Sequence, residues 1–488
     1  MQNSEDWITQ ALRPLDLSEQ MRFKMAIEAA PLSVFHNKSG QYASIPASTR
    51  PVIVAASLWN RIASDAELIL SAMEKVMVWL CRDEQKLIFE SLFGQLSPLE
   101  RLSARSAPNR ILGLVTARLD LFFDGDELSV IEVNTTIPAM QAYSDMIRSA
   151  LFNAWNVPKT VSRQSNTKDL LTALLWHYQR AGGKKANPHI AIIARAGDSQ
   201  LAELKWLQRE WQDSGFAVLL LRPEDLTIKN QSLWNESTPI DLVYRHIFAH
   251  RLSPHSPFAA ACLNSELYKV FNPISAHLEA KGLLAQVSRI AADDTLSLGA
   301  RLNEAERNAV NSRVVWSRPM AKGLAHSPEL EALDDLIDWV KNNKVHLVIK
   351  SSFGYGGKGV YIGSNFEDEA TQLRVQTLLS AKVRVTWSDF VDFCERQGEG
   401  QWVVQKKIHG RKIKHEYRAK GEMVEELALT DCSIFTSFGA KHLTFGGACR
   451  FSTESIVNIG QGGGLAPLLL DNELESLVRY RKRDKGLS

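Results

Sequence analysis

The sequence is short of the patterns that would place it in several large protein classes. No uninterrupted apolar run is long enough to span a bilayer, which takes about 20 residues. Residues 1–18 mix acidic with apolar side chains, where an export signal would have a basic stretch followed by an apolar one. Cysteine is scarce: Cys81, Cys262, Cys394, Cys432 and Cys449 are far apart and form no CxxC pair, the pattern of buried free thiols in a reducing compartment. Neither sign of charge prevails, since 57 Lys and Arg stand against 55 Asp and Glu. Nothing in that balance calls for a nucleic acid, an acidic polymer or a membrane surface as partner. Internal repeats, heptads and low-complexity segments are missing too. His409 and His415 lack the spacing of a zinc site and are expected at the surface, as is the basic end, residues 479–485. The expected location is the cytoplasm.

The chain, at 488 residues and 45% hydrophobic, is long enough for two or three interlocking units. Leu58, Ile62, Ala66, Ile69, Met73, Val76 and Leu80 recur at three- and four-residue steps, the stripe of one long amphipathic helix. Residues 118–124 and 128–134, rich in branched and aromatic side chains, flank Asp124-Gly125-Asp126-Glu127 and read as a hairpin. Polar stretches at 159–168 and 182–188 bracket a helical segment and are candidate boundaries. Beyond them, apolar runs at 189–194, 217–221 and 241–247 surround the helical pattern Leu204, Leu207, Trp211, which predicts a small parallel α/β unit. A helix around Lys281, a long charged region to Asn343 and a strand, glycine loop and strand over 346–362 follow.

That loop carries the first chemical signal. Gly354, Gly356, Gly357 and Gly359 lie between two strands, where backbone N–H groups could approach polyphosphate, and Lys350 at the end of the first strand could neutralise it. Gly354, Gly356 and Gly359 also satisfy GxGxxG, but a dinucleotide fingerprint opens a helix, and here Val360-Tyr361-Ile362 continues as strand. No GK[ST] makes it a P-loop, and HRD and DFG are absent, which excludes a protein kinase. The alternative is a hairpin that merely turns the chain.

The second signal is Arg118, Asp120, Glu132 and Asn134 on the predicted hairpin. Glu132 and Asn134, two apart on one strand, share a face, and with Asp120 they offer the hard oxygen donors that suit Mg²⁺. The alternative is polar decoration of an exposed sheet face.

Together these features resemble the ATP-grasp superfamily, specifically its circularly permuted members such as glutathionylspermidine synthetase and their uncharacterised bacterial relatives. In those proteins a strand pair with Arg, then Asp, then Glu-x-Asn precedes the glycine-loop half, the order found here. Asp241-Leu242-Val243-Tyr244-Arg245 resembles the strand before the grasp unit. Residues 272–281 resemble the segment ending in the first nucleotide-binding lysine, Lys281. Trp402-Val403-Val404-Gln405 looks like the hinge strand that meets adenine, and residues 445–450 look like the stretch bearing a catalytic arginine, Arg450. Residues 1–107 and 288–344 match less clearly, the tail 458–464 is richer in glycine than the family's end, and no amidase-like half is present.

The resemblance implies an α/β (α+β) ATP-grasp fold in permuted order with an inserted Rossmann-like pre-ATP-grasp unit. Residues 1–165 would hold a helical region and the metal-binding strand pair, 166–270 the Rossmann-like substrate unit, and 271–488 the nucleotide-binding and lid part. The implied activity is ATP- and Mg²⁺-dependent ligation of a carboxylate to an amine, both small molecules or peptides, with no nucleic acid or membrane partner and an arrangement compatible with a homodimer. Lys281, Lys350, Gly354, Gly356, Gly357, Gly359 and Gln405 would bind ATP. Asp120, Glu132 and Asn134 would bind Mg²⁺, while Arg118 and Arg450 would handle substrate carboxylate and transferred phosphoryl. Thr135, Thr136, Tyr143 and Ser144 are candidate pocket residues. A phosphotransferase, or an inactive nucleotide-binding scaffold, is the alternative.

Overall fold

The computed structural model describes the chain apart from residues 1, 31, 37–38, 107–113, 159–164, 355, 420, 438–443 and 484–488. Most of the candidate boundary at 159–168, Tyr355 of the glycine loop and the last two residues of the basic end therefore lie outside the described residues.

The predicted hairpin forms as Thr116–Asp124 and Glu127–Asn134. Gly125 takes the first central position of its turn at φ +62°, a left-handed conformation that costs a residue without Cβ little. The hairpin is one edge of a six-stranded sheet in the order Gly464–Ala466, Thr444–Ser452, Glu422–Ser437, Thr116–Asp124, Glu127–Asn134, with Arg411–Ala419 also paired to the long strand. Along one edge Glu422–Ser437 pairs first with Arg411–Ala419 and then, from Asp431 on, with Thr116–Asp124. Alternation decides what each face does. Leu119, Leu121, Val130, Val133, Cys432 and Ile434 pack with Ile62, Ile69, Met73 and Val76 of the helix Ala56–Leu80 in one core. The intervening residues Arg118, Asp120, Glu132, Asp431 and Ser433 consequently turn to the opposite face.

A second sheet, antiparallel, orders Ser317–Pro319, Trp402–Lys406, Leu347–Ser351 and Val360–Ile362. The helices Leu336–Asn342, Glu369–Leu379 and Trp387–Arg396 close its core through Ile337, Val375 and Phe390. The third sheet is the expected parallel one, ordered Val270–Phe271, Leu242–His246, Ile190–Ala194, Val218–Leu221. Helices Asn166–Arg180 and Leu201–Asp213 cover Ile190 and Ile192 on one side, and Pro257–Leu263 covers Ala191 and Ile193 on the other. That is why its strands read as unbroken apolar runs. Within the charged region, Glu304–Arg313 docks on the long helix, where Glu306 accepts from Lys75 and Ser71.

Two surface expectations are overturned. His409 is exposed, but His415 is buried, bonded to the Ser48 and Thr430 hydroxyls and stacked on Phe451 with ring centroids 4.2 Å apart. Its period-two position on Arg411–Ala419 turned it inward, and burial lowers its pKa to about 4. In the basic end Arg479 is exposed, yet Arg481 is buried against Glu19, with Nε to Oε1 at 2.8 Å and Nη2 to Oε2 at 3.0 Å, and also donates to the carbonyls of Gln10, Arg13 and Pro14. Four of the cysteines are buried as expected. Cys432 and Cys449, 17 positions apart, face one another across adjacent strands with sulfurs 3.2 Å apart. Among the described residues no helix is long and apolar enough to cross a membrane.

Removing one partner of a buried ion pair leaves the other charge uncompensated, at a cost of about 3–5 kcal/mol. Arg481→Met is expected to lower stability by that amount in urea unfolding. Arg479→Met, at an exposed position on the same helix, is expected to change it by less than about 0.5 kcal/mol.

Candidate active site

The polar face of the six-stranded sheet, the ends of the antiparallel sheet and the carboxyl ends of the parallel strands Ile190–Ala194 and Leu242–His246 line a cavity of about 750 Å³. Direct cross-strand pairing assembles its floor. Arg118 lies opposite Asn134, Asp120 opposite both Glu132 and Ser433, and Asp431 opposite Arg450. A bulge follows Asp120, so Leu121 pairs with Val130 and Ile131 is the extra residue. The freed carbonyl of Ile131 lies 3.4 Å from both Lys350 Nζ and Gln405 Nε2.

Four charges interlock on this floor. Asp120 accepts from Arg118 Nε at 2.7 Å and Nη2 at 3.1 Å, from Arg450 Nη2 at 3.1 Å and from Ser433 Oγ at 2.9 Å. Burial alone would raise its pKa, but Arg118 and Arg450 outweigh that and hold the carboxyl far below the usual range. Asp431 shares Arg450 at 3.1 Å from Nε, and there burial prevails, raising its pKa. Arg118 donates its remaining nitrogen, Nη1, to the Ala139 carbonyl at 2.9 Å. With the guanidinium closed on Asp120 and Ala139, a metal at Asp120 would have to take the place of an arginine contact. Among the described residues Glu132 has Lys281 as its side-chain hydrogen-bond partner, at 2.9 Å, and Asn134 Nδ2 is buried without one.

The second wall carries the lysines. Lys350 Nζ donates to Gln405 Oε1 at 2.6 Å, and burial lowers its pKa to about 8 although Glu132 pulls the other way. Lys281, the first residue of the helix Lys281–Ala291, bridges Glu132 and the Gly354 carbonyl at 2.8 Å and so fastens the glycine loop to the acidic hairpin. Glycine is required in that loop: Gly356, Gly357 and Gly359 have φ of +61°, +73° and +77°, and a Cβ on Gly354 would meet the Lys358 carbonyl at 2.3 Å. The glycine-rich tail that the sequence left without a role sits on this loop, where Asn458 Nδ2 donates to the Gly356 carbonyl at 2.6 Å.

Of the residues singled out in the sequence, Arg118, Asp120, Glu132, Asn134, Lys350, Gly356, Gly357, Gln405 and Arg450 line one cavity. Lys281 joins it through Glu132, and Gly354 and Gly359 shape the loop. Tyr143 lines it too. Thr135, Thr136 and Ser144 do not: the backbone N–H groups of Thr135 and Thr136 bond Glu279, and Ser144 Oγ bonds the Gly447 carbonyl. The sequence reading missed Asp431 and Ser433, whose two-residue spacing on a strand was the available signal. It also missed Glu203, which lies behind the cavity wall. Met140 on that wall has φ +91°, a strained conformation for a side-chain-bearing residue. Glu203 holds it by accepting from the Met140 and Ala142 N–H groups.

Burial raises the Glu203 pKa to about 7 against a usual 4.5, despite those bonds. A carboxyl whose folded pKa is raised binds more protons folded than unfolded, so its ionisation withdraws stability as pH climbs from about 4.5 to about 7. Wild type is accordingly expected to lose melting temperature relative to Glu203→Gln over that window. Parallel melting curves at pH 5 and pH 8 check it.

No protein-family model matches the chain, and no curated protein does. Among solved structures it is similar to a glutathione synthetase-like effector from Globodera pallida, with a TM-score of 0.56 and 10% identity over 93% of this chain and 96% of that one. A Methylobacillus flagellatus KT protein provisionally named a gamma-glutamylcysteine synthetase aligns over 89% of this chain and 99% of its own, at 10% identity and a TM-score of 0.41. The likeness to the effector is one of fold: a mixed α/β chain with several sheets, aligned over nearly its whole length.

Proposed function

We propose that the cavity is the active site of an ATP-grasp ligase in circularly permuted order, which joins a carboxylate to an amine through an acyl phosphate with ADP and phosphate as products. One observation carries this reading: the acidic hairpin and the glycine loop, remote in sequence, meet across one cavity where Lys350 reaches the Ile131 carbonyl and Lys281 ties Glu132 to Gly354. The similarity in fold to a protein named for glutathione synthetase supports it.

The residues fit ATP and Mg²⁺. Lys281 and Lys350 supply two cations beside backbone that only glycine can form, and Glu132 and Asn134 stand on the floor with few competing contacts. Mg²⁺ is satisfied by one or two carboxylates with phosphate and water, so the absence of a three-residue His, Cys, Asp or Glu metal cluster among the described residues is compatible with it. When bound, ATP would supply the phosphoryl group that turns a carboxylate oxygen into a leaving group, and Mg²⁺ would neutralise phosphate charge. The chain's own part is positioning and electrostatics. Lys350 and Lys281 would hold phosphate oxygens, and Arg450, already poised between Asp120 and Asp431, would face the transferred charge. Arg118 spends three of its five N–H groups on Asp120 and Ala139 and would orient the acid with the N–H left on each terminal nitrogen. Residues 453–460, which line the cavity next to the loop, are placed to shield a bound ligand from water.

Losing a hydrogen bond to a charged group costs about 1.5–3 kcal/mol. Lys350→Ala should therefore weaken binding of a non-hydrolysable ATP analogue about 10–100-fold, and Glu132→Gln should abolish the Mg²⁺ dependence of that binding. Calorimetry returning wild-type behaviour for both variants would move the nucleotide elsewhere.

A further inference from the structure

The peptide group between Ala139 and Met140 is held at both of its poles. Its carbonyl oxygen accepts from Arg118 Nη1 at 2.9 Å, and its N–H donates to Glu203, 2.9 Å from Oε1 and 3.1 Å from Oε2. A cation and an anion therefore act on opposite ends of one peptide dipole. Hydrogen bonds linked in this way polarise one another, so each is stronger for the presence of the other. Both charged groups are buried, Arg118 on the strand Thr116–Asp124 and Glu203 on the helix Leu201–Asp213, in surroundings where water screens them little.

This peptide belongs to the connection between the acidic strand, which ends at Asn134, and the helix Gln141–Ala154. Ala139 N–H closes a tight turn on the Ile137 carbonyl at 2.8 Å, and the chain then enters the helix through the left-handed Met140. Met140 gives the helix no side-chain cap; Glu203 takes that part from another element, accepting also from the Ala142 N–H at 3.1 Å. Ile137, Ala139 and Met140 line the cavity together with Arg118, whereas Glu203 stands behind them. What Glu203 does for the site it does through this turn.

We propose that Glu203 is a positioning residue for Arg118: its carboxylate polarises the peptide between Ala139 and Met140, that peptide holds the guanidinium that meets the acid substrate, and the hold tightens when Glu203 ionises. The words acid substrate rest on the ligase reading; the coupling itself rests on the shared peptide. A carboxylate accepts about twice as strongly as a neutral carboxyl, so losing the proton deepens the peptide dipole and makes the Ala139 oxygen the better acceptor for Arg118. Burial brings that ionisation to about pH 7. The other groups around Glu203 keep their charge there. Burial and the Glu203 charge raise the pKa of Tyr143, on the helix Gln141–Ala154, and of Tyr244, on the strand Leu242–His246, so both stay neutral. Burial lowers the pKa of His246, Asp198 is paired with Arg195 at 3.4 Å, and Arg118 is a permanent cation. Overall stability runs the other way, since ionising a carboxyl whose folded pKa is raised withdraws stability as pH climbs to about 7. A residue serving the fold alone would let Arg118 loosen over that window; a positioning residue tightens it.

The test is carbon-detected NMR on the full chain carrying isotope-labelled arginine, with no nucleotide or substrate added. Such spectra report rotation about the Cζ–Nη bonds of Arg118, whose signals are assigned by their loss in Arg118→Lys. Rotation is expected to slow about two- to fivefold from pH 5 to pH 8 in the wild type, and to be the same at both pH values in Glu203→Gln. The reciprocal measurement follows the Glu203 carboxyl in chain labelled at glutamate, assigned by its loss in Glu203→Gln. With the cation removed in Arg118→Met, that carboxyl is expected to titrate about one pH unit higher. Rotation that quickens or stays level with pH in the wild type overturns the coupling, and so does a step that persists in Glu203→Gln or a Glu203 midpoint unmoved by Arg118→Met. Should Arg118→Met fold poorly, the Glu203→Gln comparison decides alone. Neither readout needs a ligand, so failure here leaves the ligase reading to the ATP-analogue calorimetry, and failure there leaves the coupling standing.

Discussion

The sheet floor is organised by one constraint, that charges taken out of water must be matched where they stand. Arg118, Asp120, Arg450 and Asp431 are all largely buried, and each meets its opposite at hydrogen-bond distance. Unmatched, a single one would cost several kcal/mol; interlocked, they fix one another's rotamers. Because the partners come from Thr116–Asp124, Glu422–Ser437 and Thr444–Ser452, the network also fixes the register of those strands. A one-residue slip would drive the arginines into the apolar core around Ile69 and Met73.

The two sides of the cavity are built for different tasks. The hairpin floor has forked arginines and a bulge that points the Ile131 carbonyl toward Lys350. It is a rigid template. The opposing loop is held mainly by the Lys281 and Asn458 contacts and by glycines in left-handed conformations, so its backbone can approach a ligand closely. Lysine suits this side, since its single charge can follow a phosphate, whereas the planar guanidinium fork suits the carboxylates of the floor. The strained Met140, held by a buried carboxylate with a raised pKa, sits where floor and parallel sheet meet. Strain persists only where surrounding bonds over-determine it, and Glu203 supplies them.

Much of this was legible in the chain. The period-two pattern around Asp120 and Glu132 placed the hairpin and its polar face, the helical stripe from Leu58 to Leu80 placed the helix behind it, and the apolar runs near Ile190 and Leu242 placed the parallel sheet. Local spacing could do this because side-chain direction in a strand or helix follows from position alone. His415 and Arg481 were misjudged because a neighbouring charge or glycine suggests exposure, while burial depends on what a remote segment, Ser48 or Glu19, brings to meet them.

What the sequence by itself determined was therefore the set of elements and the chemical character of their faces: an acidic strand pair, a glycine loop between strands, lysines at element ends. Only the tertiary structure decided that Asp120 is shared between two arginines, that Asp431 and Ser433 complete the floor, and that Glu203 stands behind the turn that holds Arg118. Pairing between strands hundreds of positions apart is set by the packing of whole faces and the matching of buried charge, and no local stretch of chain encodes that.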